Sequence, residues 1–356
     1  GKNNYDYLLA RSHVDFAVIK DHMNVTFGYD KHFIGDGMRS LFLSDFSAGA
    51  TFLRLTTKVW KLNYQNLYLE FKPQYSRGPD TRLPRKYATM HHLSINAFDW
   101  LNIGIFEAVI FNRRDRYEFG YLNPIILYRQ TERMMGSPDN VLIGLNFKAI
   151  ALKHIQLYGQ FILDEFTFSE LTGGKGYWAN KFGVQFGGKY FDAFTVKNLD
   201  LQGEINLVRP YMYSHYDSNA NYSHYNQPLA HPLGSGFMEL LGNIRYQPVK
   251  NLYLNAKAMY YQQSTDTGGV NFGGNIFRDY DSRASSYGVT LVNGVRAQCA
   301  LANFTATYEL KENLFFDLGV TYRKKAYDNG VLPTENTTWF TGGLRLNIVP
   351  RSYDFY

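Results

Sequence analysis

No stretch of the chain approaches the roughly 18 consecutive apolar residues that a membrane-spanning helix needs, which excludes a helical transmembrane protein. Long runs of Leu, Ile and Val are missing too. The 356 residues hold one cysteine, Cys299, so no internal disulfide can form, and its setting in RAQCALANF suits a packed thiol better than a nucleophile. The net charge of +6 comes without any Lys/Arg-rich block, which removes the usual mark of a nucleic-acid tail. Catalytic signatures are absent: there is no Gly-x-Ser-x-Gly, no His-Glu-x-x-His and no carboxylate pair at a defined separation. No cofactor motif appears either. No basic-then-apolar leader opens the chain, so a signal peptide or an N-terminal segment is expected upstream. The mean hydropathy of −0.33 does not bear on spanning β-strands, which alternate and so average polar.

Aromatics are abundant instead, at 17% with Tyr 29 and Phe 27. A short turn carrying Lys, Asp or Asn recurs between two alternating runs: LNYQNLYL at 62–69, AFDWLNI at 97–103, ALKHIQL at 151–157, TVKNLDL at 195–201, PVKNLYL at 248–254 and LKENLFF at 310–316. VIKDHMNV at 18–25 is a looser seventh. The flanking runs have period two. Leu314, Phe316, Leu318, Val320 and Tyr322 alternate with Asp317, Gly319, Thr321 and Arg323. Leu199, Leu201, Gly203, Ile205 and Leu207 alternate with Asp200, Gln202, Glu204 and Asn206. One face is apolar and the other carries full charges.

Two architectures share that pattern. A soluble sandwich turns its apolar face inward, with strands of about five or six residues. An outer-membrane barrel turns it to lipid, with strands of about 9–11 residues, short periplasmic turns and long external loops. Runs of about ten to thirteen residues, tight turns at one end and long intervals at the other favour the barrel. Aromatics near strand ends (Tyr64, Tyr68, Trp100, Phe111, Trp178, Tyr190, Tyr260, Tyr261, Tyr322, Trp339) read as interfacial girdles. The fold expected is therefore all-β: a closed antiparallel transmembrane β-barrel forming a single domain over 1–356. About fifteen strands are legible, and both ends in the periplasm require an even number. The expectation is about 16 strands, with 14 to 18 open, the sixteenth coming from 3–10, 284–296 or 121–129. TTWFTGGLRLNI and the terminal Phe355-Tyr356 resemble the end signal of outer-membrane barrels, although Pro350 breaks that strand early.

Three loops then stand out. GYDKHFIGDGMRSLFLSDFS at 28–47 fits no phosphate loop, since no Lys-Ser/Thr and no helix follow, and TGGKGY at 172–177 fails likewise. It reads as a structural loop at the outer mouth or folded into the lumen, with Arg39 and Asp45 bonded to each other or to lumen groups. RPYMYSHYDSNANYSHYNQPLAHPLGSGF at 209–237 holds Tyr211, Tyr213, His215, Tyr216, Tyr222, His224 and Tyr225. Tyrosine faces stack on sugar CH groups while Asn and His supply hydrogen bonds, so this is a candidate polysaccharide surface. Equally it is a lumen plug. The spacing of His215, His224 and His231 matches no zinc pattern. In RRDRYEFGYLNP, Arg113, Arg114 and Arg116 could meet phosphates or sugar carboxylates, or pair locally with Asp115, Glu118 and Glu132. Lumen charges balance along the strands, as Lys72, Lys189, Lys257, Arg323 and Arg345 set against Glu70, Asp164, Asp200, Glu204 and Asp317. A balanced lumen crowded by loops suits a closed barrel better than an ion-selective pore.

Gly28, Gly35, Gly37, Ser40, Leu41, Leu43, Ser44 and Asp45, with Leu53-Arg54 following, resemble the segment G-x-x-x-x-x-G-x-G-x-x-S-L-x-L-S-D of Wzi-type capsule-attachment outer-membrane proteins. NYSHYNQPLAHPLGSGF is similar to their RemB-like gliding-motility branch from Bacteroidota. The resemblance implies a non-enzymatic barrel in the bacterial outer membrane. Its first implied role is a subunit or accessory of a surface machine for gliding motility or type IX protein secretion, within a larger outer-membrane protein assembly. A lectin-like anchor for capsular or other surface polysaccharide is the alternative, and a passive porin is third. It implies outer-membrane lipid around the wall and no nucleic acid.

Overall fold

Seven hairpin turns organise the wall, and each joins two antiparallel strands. The computed structural model describes residues 10–74, 83–113, 116–124, 139–165, 169–170, 173–328, 330 and 332–346. Strand β1 (Ser12–Ile19) turns into β2 (Met23–Asp30), and β3 (Ala50–Val59) into β4 (Leu62–Phe71). The next hairpins are β5 (Lys86–Phe98) with β6 (Leu101–Phe111), and β7 (Asn140–Ala151) with β8 (Ile155–Leu163). Then come β9 (Phe182–Tyr190) with β10 (Leu199–Val208), and β13 (Phe237–Val249) with β14 (Leu252–Thr265). The wall ends with the hairpin of β15 (Val295–Lys311) and β16 (Leu314–Tyr327), followed by β17 (Glu335–Leu346). These make one 15-stranded sheet in chain order, while β11 (Ser223–His224) and β12 (Gln227–Pro228) form a small bridge within a loop. Among the described residues β1 and β17 pair with one neighbour each, and both run from the long loops toward the short turns.

The turns are where sequence and backbone meet most directly. Asp21, Asn198 and Asn313 take positive φ, which Asn and Asp tolerate better than other L-residues. Trp60, Leu152 and Phe194 also take positive φ, without that tolerance. They project large apolar side chains outward, at 80%, 82% and 71% exposure. Such anchors suit a membrane interface, and the backbone strain of roughly 1–3 kcal/mol is set against their burial there. Two turns differ from expectation. The second hairpin turns at Trp60-Lys61, not at Tyr64-Gln65 within LNYQNLYL, because period two runs unbroken through that segment. The fifth spans 191–198 and includes a 3-10 turn at Ala193–Thr195.

A sixteenth strand does not come from 284–294, which is loop, nor from Tyr121-Leu122, which belong to the 3-10 turn Phe119–Leu122. Residues 3–9 and 125–129 lie outside the described residues, as do Pro350, Phe355 and Tyr356.

The two faces are inverted relative to a soluble sheet. Phe16, Phe27, Leu145, Leu318, Phe340 and Leu344 point outward and are exposed, while Glu204, Asn206, Glu239 and Thr321 point inward and are buried. The inner face has two tiers. Toward the long loops it is apolar, with Phe52, Leu69, Met90, Phe106, Leu142, Ile162 and Met259 packed in one core with loop residues. Cys299 is a free, buried thiol in that core. Toward the short turns the inner face is polar, with Asn63, Gln65, Asn102, Lys148, Lys189, Asn243 and Lys257 half-buried.

Residues 116–124 lie on the other side of the wall. They fold back over the outer face of β4–β7, where the Tyr117 hydroxyl meets Thr89 and Tyr121 packs on Phe111. Tyr68 donates to the carbonyl of Leu122 at 3.1 Å, and Tyr64 to that of Pro124. This corrects the girdle reading for Tyr68 and Phe111, which are covered by that segment. Tyr261 and Trp178 are also buried, Tyr261 in the inner core and Trp178 among loops.

Candidate functional site

The opening glycine-rich loop fills the lumen side and is held by the wall. Glu204 of β10 accepts from the backbone N–H of Met38 at 2.6 Å and of Arg39 at 3.1 Å, and from the Tyr158 hydroxyl at 2.8 Å. Gln185 and Asn206 donate to it as well, at 3.2 and 2.9 Å. A Cβ on Gly37 would stand 2.5 Å from the Glu204 carboxylate, so only glycine allows this approach. Gln160 of β8 accepts from Leu41 N at 2.7 Å and donates to Ile34 O at 2.9 Å. Phe42 stacks on Phe106 at 4.5 Å, over the space left by Gly144. Gly35 sits beside Gln160, and Gly28 lies within β2 opposite His13. Arg39 is buried with Glu239, Nε to Oε2 3.6 Å, and Glu239 also meets His231 at 2.7 Å. Asp45 is exposed and its carbonyl accepts from Lys31, so Arg39 pairs with the wall rather than with Asp45.

The tyrosine-rich loop locks onto the first. Tyr213 donates to Leu41 O at 2.8 Å and Tyr222 to Phe42 O at 2.7 Å. Ser44 N donates to Leu229 O at 2.8 Å, and its hydroxyl reaches Ala230 O. His224 accepts from Lys72 N at 3.0 Å through Nδ1, so its Nε2–H donates to Gly49 O at 3.0 Å. Burial pushes His224 down to about 4, which keeps that neutral tautomer. Tyr211, Tyr213, Tyr222 and His224 are thus packed inside rather than offered as ring faces. Tyr225 is half-buried, and Tyr216 is 40% exposed. His215, His224 and His231 lie in separate surroundings, and among the described residues no His/Cys/Asp/Glu group could hold a metal ion.

What reaches the surface is an aromatic cluster at the long-loop mouth, assembled from three loops. Tyr216 lies 4.4 Å from His215 and 6.3 Å from Tyr280, ring to ring. Tyr280 lies 5.0 Å from Trp178, and Tyr177 lies 5.3 Å from Tyr287. Arg283 stacks over Trp178 at 4.3 Å and Lys181 over Tyr280 at 4.5 Å. Partial desolvation, then the Glu165 and Asp164 carboxylates, raise Tyr280; desolvation, then Asp217 and Asp139, raise Tyr216. Burial first, then the charge of Lys181, lowers His215. The cluster therefore offers neutral hydroxyls and ring faces, with Tyr216 and Tyr287 the most exposed. Tyr280 and Tyr287 belong to none of the three loops that stand out in the sequence, Tyr177 ends the TGGKGY segment, and the girdle expectation for Trp178 does not hold. Their one sequence signal is aromatic density inside the long intervals between hairpins.

Arg113 forms a bidentate pair with Asp139, at 2.6 and 2.8 Å, and reaches Glu118 at 3.6 Å. The local network is therefore present, with Asp139 as its main carboxylate. Arg116 is exposed beside it, while Arg114, Asp115 and Glu132 lie outside the described residues.

No family model matches the chain, and no curated protein does. Among solved structures it is similar to Wzi of Escherichia coli, a carbohydrate-binding β-barrel involved in group 1 capsule assembly, with TM-score 0.62 and 12% identity. The alignment covers 94% of this chain and 69% of Wzi. OprD of Pseudomonas aeruginosa aligns at TM-score 0.47 and 10% identity over 90% of this chain and 76% of its own. At 12% identity the likeness to Wzi establishes the fold alone, an outer-membrane β-barrel wall.

Proposed function

We propose that the chain is a closed, plugged barrel of the bacterial outer membrane that anchors surface polysaccharide at its outer mouth and catalyses no reaction. The observation that carries this reading is the coincidence of two features at one end. The lumen is filled by the loops 31–49 and 209–236, which share a buried core with the wall, and an exposed aromatic cluster sits over them. Filled space argues against a passive porin. Aromatic faces beside neutral hydrogen-bonding groups suit sugar rings, and the carbohydrate binding of Wzi adds support. Strand direction supports closure by one more strand: β1 and β17 run the same way, so a strand antiparallel to both would complete an even, 16-stranded wall. Lipid then covers the outer face. Neither the fold nor the likenesses favour a gliding or type IX secretion machine, a RemB-like identity or a Bacteroidota source over the anchor.

The test is retention of purified surface polysaccharide on the detergent-solubilised chain and on a Tyr216→Ala, Tyr280→Ala, Tyr287→Ala triple variant. Saturable binding that falls about tenfold or more in the variant supports the anchor. Absence of binding, together with co-purification of a stoichiometric protein assembly on gentle extraction, would overturn it in favour of the machine reading.

A further inference from the structure

Beneath the plug, at the opposite end of the lumen from the aromatic cluster, the inner face leaves a cavity of about 460 Å³. Its roof is the loop corner at Phe33–Asp36, and it opens toward the short turns at Trp60 and Lys61. The wall is built by register: Lys58 faces Asn63, Asn63 faces Ser94, Ser94 faces Gly104 and Gly104 faces Asn146 across successive strands. Gly104 has no side chain in that row, and a Cβ there would collide with Asn146 and His92. Glycine thus keeps open the space in which those two bond at 2.9 Å.

The lining has hydrogen-bonding capacity left over. Asn102 donates to Asn96 at 2.8 Å, which leaves the far ends of both amides free to face inward. Asn63 Oδ1 is buried without a partner. Each amide presents a donor and an acceptor side by side, the arrangement that matches neighbouring hydroxyls on a sugar ring. Charge is also left over. Lys148 is paired with Asp36 at 3.1 Å, whereas Lys58 and Lys61 have no carboxylate partner among the described residues. Three lysines against one aspartate favour an anion, and ammonium groups hold carboxylates by charge-assisted bonds.

We propose that this cavity is a second binding site, for a carboxylate-bearing sugar residue approaching from the short-turn end. A neutral hexose would leave both lysines unmatched, and a bare inorganic anion would leave the amides unmatched. The volume lies within the range of small-molecule sites. The proposal goes beyond the anchoring role of the outer mouth and does not depend on it.

Saturation-transfer NMR on the full chain in detergent, with glucuronate and glucose as probes and inorganic phosphate as competitor against glucuronate, tests it. Glucuronate is expected to bind, with glucose and phosphate each at least about tenfold weaker. A Lys58→Gln, Lys61→Gln double variant on the exposed turn should weaken glucuronate about tenfold, corresponding to ~1.4 kcal/mol. Tyr216→Ala with Tyr280→Ala should leave it unchanged. Heat-modifiable migration on gels checks that each variant is folded, and Asn146→Leu provides a second, charge-neutral block of the cavity. Four results would overturn the proposal: no glucuronate signal, equal binding of phosphate, indifference to the lysine and Asn146 changes, or loss caused by the mouth variants instead.

Discussion

Replacing Glu204 with Gln tests whether the wall holds the plug. The carboxylate receives five hydrogen bonds, two of them from the backbone of Met38 and Arg39. Glutamine keeps the shape but offers one acceptor oxygen. Whichever way its amide is turned, an NH2 group then faces at least one N–H or O–H donor. Met38 N and Arg39 N bind different oxygens, so one backbone bond is lost, and at about 1.5–3 kcal/mol for a hydrogen bond to a charged group the loop corner loosens by roughly that amount. The strand ladders on either side are untouched, and the wall should remain folded. At ~1.4 kcal/mol per tenfold, the corner would open about ten- to a hundredfold more often. Cleavage near Gly35–Arg39 by added protease and current across a planar bilayer both report that opening. The expected result is faster cleavage and more frequent conducting events in Glu204→Gln, with unchanged heat-modifiability. If cleavage and conductance both match the parent chain, Glu204 does not anchor the plug and the reasoning fails.

Gly144→Leu should drive a side chain into the Phe42 ring and cost about 1–3 kcal/mol, read as a lower melting temperature with the barrel band retained. Burial, then the Arg54 charge, lowers His32 to about 4, as burial does for His224. Since an opened plug binds protons at the ordinary value near 6.5, stability held above that pH should fall as pH drops from about 6.5 to about 4. The ceiling is about 3 kcal/mol per histidine. Protease sensitivity of the loops across that window should lose part of its pH dependence in His224→Gln, with His32 supplying the rest, and a flat profile in the parent chain would contradict the assignment. Arg113→Ala should cost about 3 kcal/mol by leaving buried Asp139 without its counter-charge, visible as a melting shift that Arg113→Lys recovers only in part.

The hairpins were legible because each depends on neighbours in sequence. Period two places alternate side chains on one face, and a Lys-Asn or Asp turn admits the positive φ that closes the pair, as at Asn198 and Asn313. Trp60-Lys61 is not legible because Trp60, which takes the positive φ there, is not a residue type that favours it. The plug was legible as a loop rich in glycine, yet not as a structure, because its bonds span the chain. Tyr213 reaches Leu41, and Gly37 is shaped by Glu204, contacts that no local pattern encodes. Trp178 shows the same limit. An aromatic residue near a strand end suits a girdle or a loop cluster equally, and only the approach of Tyr280 and Tyr211 decides between them.

A sandwich and a barrel share the alternation and differ in its sign, and the loops set that sign. Had the apolar faces packed on each other, Phe340, Leu344 and Phe16 would be buried and Glu204 and Glu239 would meet water. The structure has the reverse, with Phe340 81% exposed and Glu239 fully buried against Arg39, His231 and Asn206. In water, so much exposed apolar surface opposite buried carboxylates would be doubly costly. In lipid the exposed apolar face is favourable, and the inner carboxylates are held by their own partners. The wall then has no chemistry left to do, and specificity falls to the two ends. At the outer end cations are stacked on aromatic rings and matched by carboxylates; at the inner end Lys58 and Lys61 lack a carboxylate among the described residues and Asn63 Oδ1 lacks a partner. The proposed anchor then takes a neutral stretch of glycan at the first surface, and the proposed second site takes an acidic residue, with the plug held by Glu204 between them.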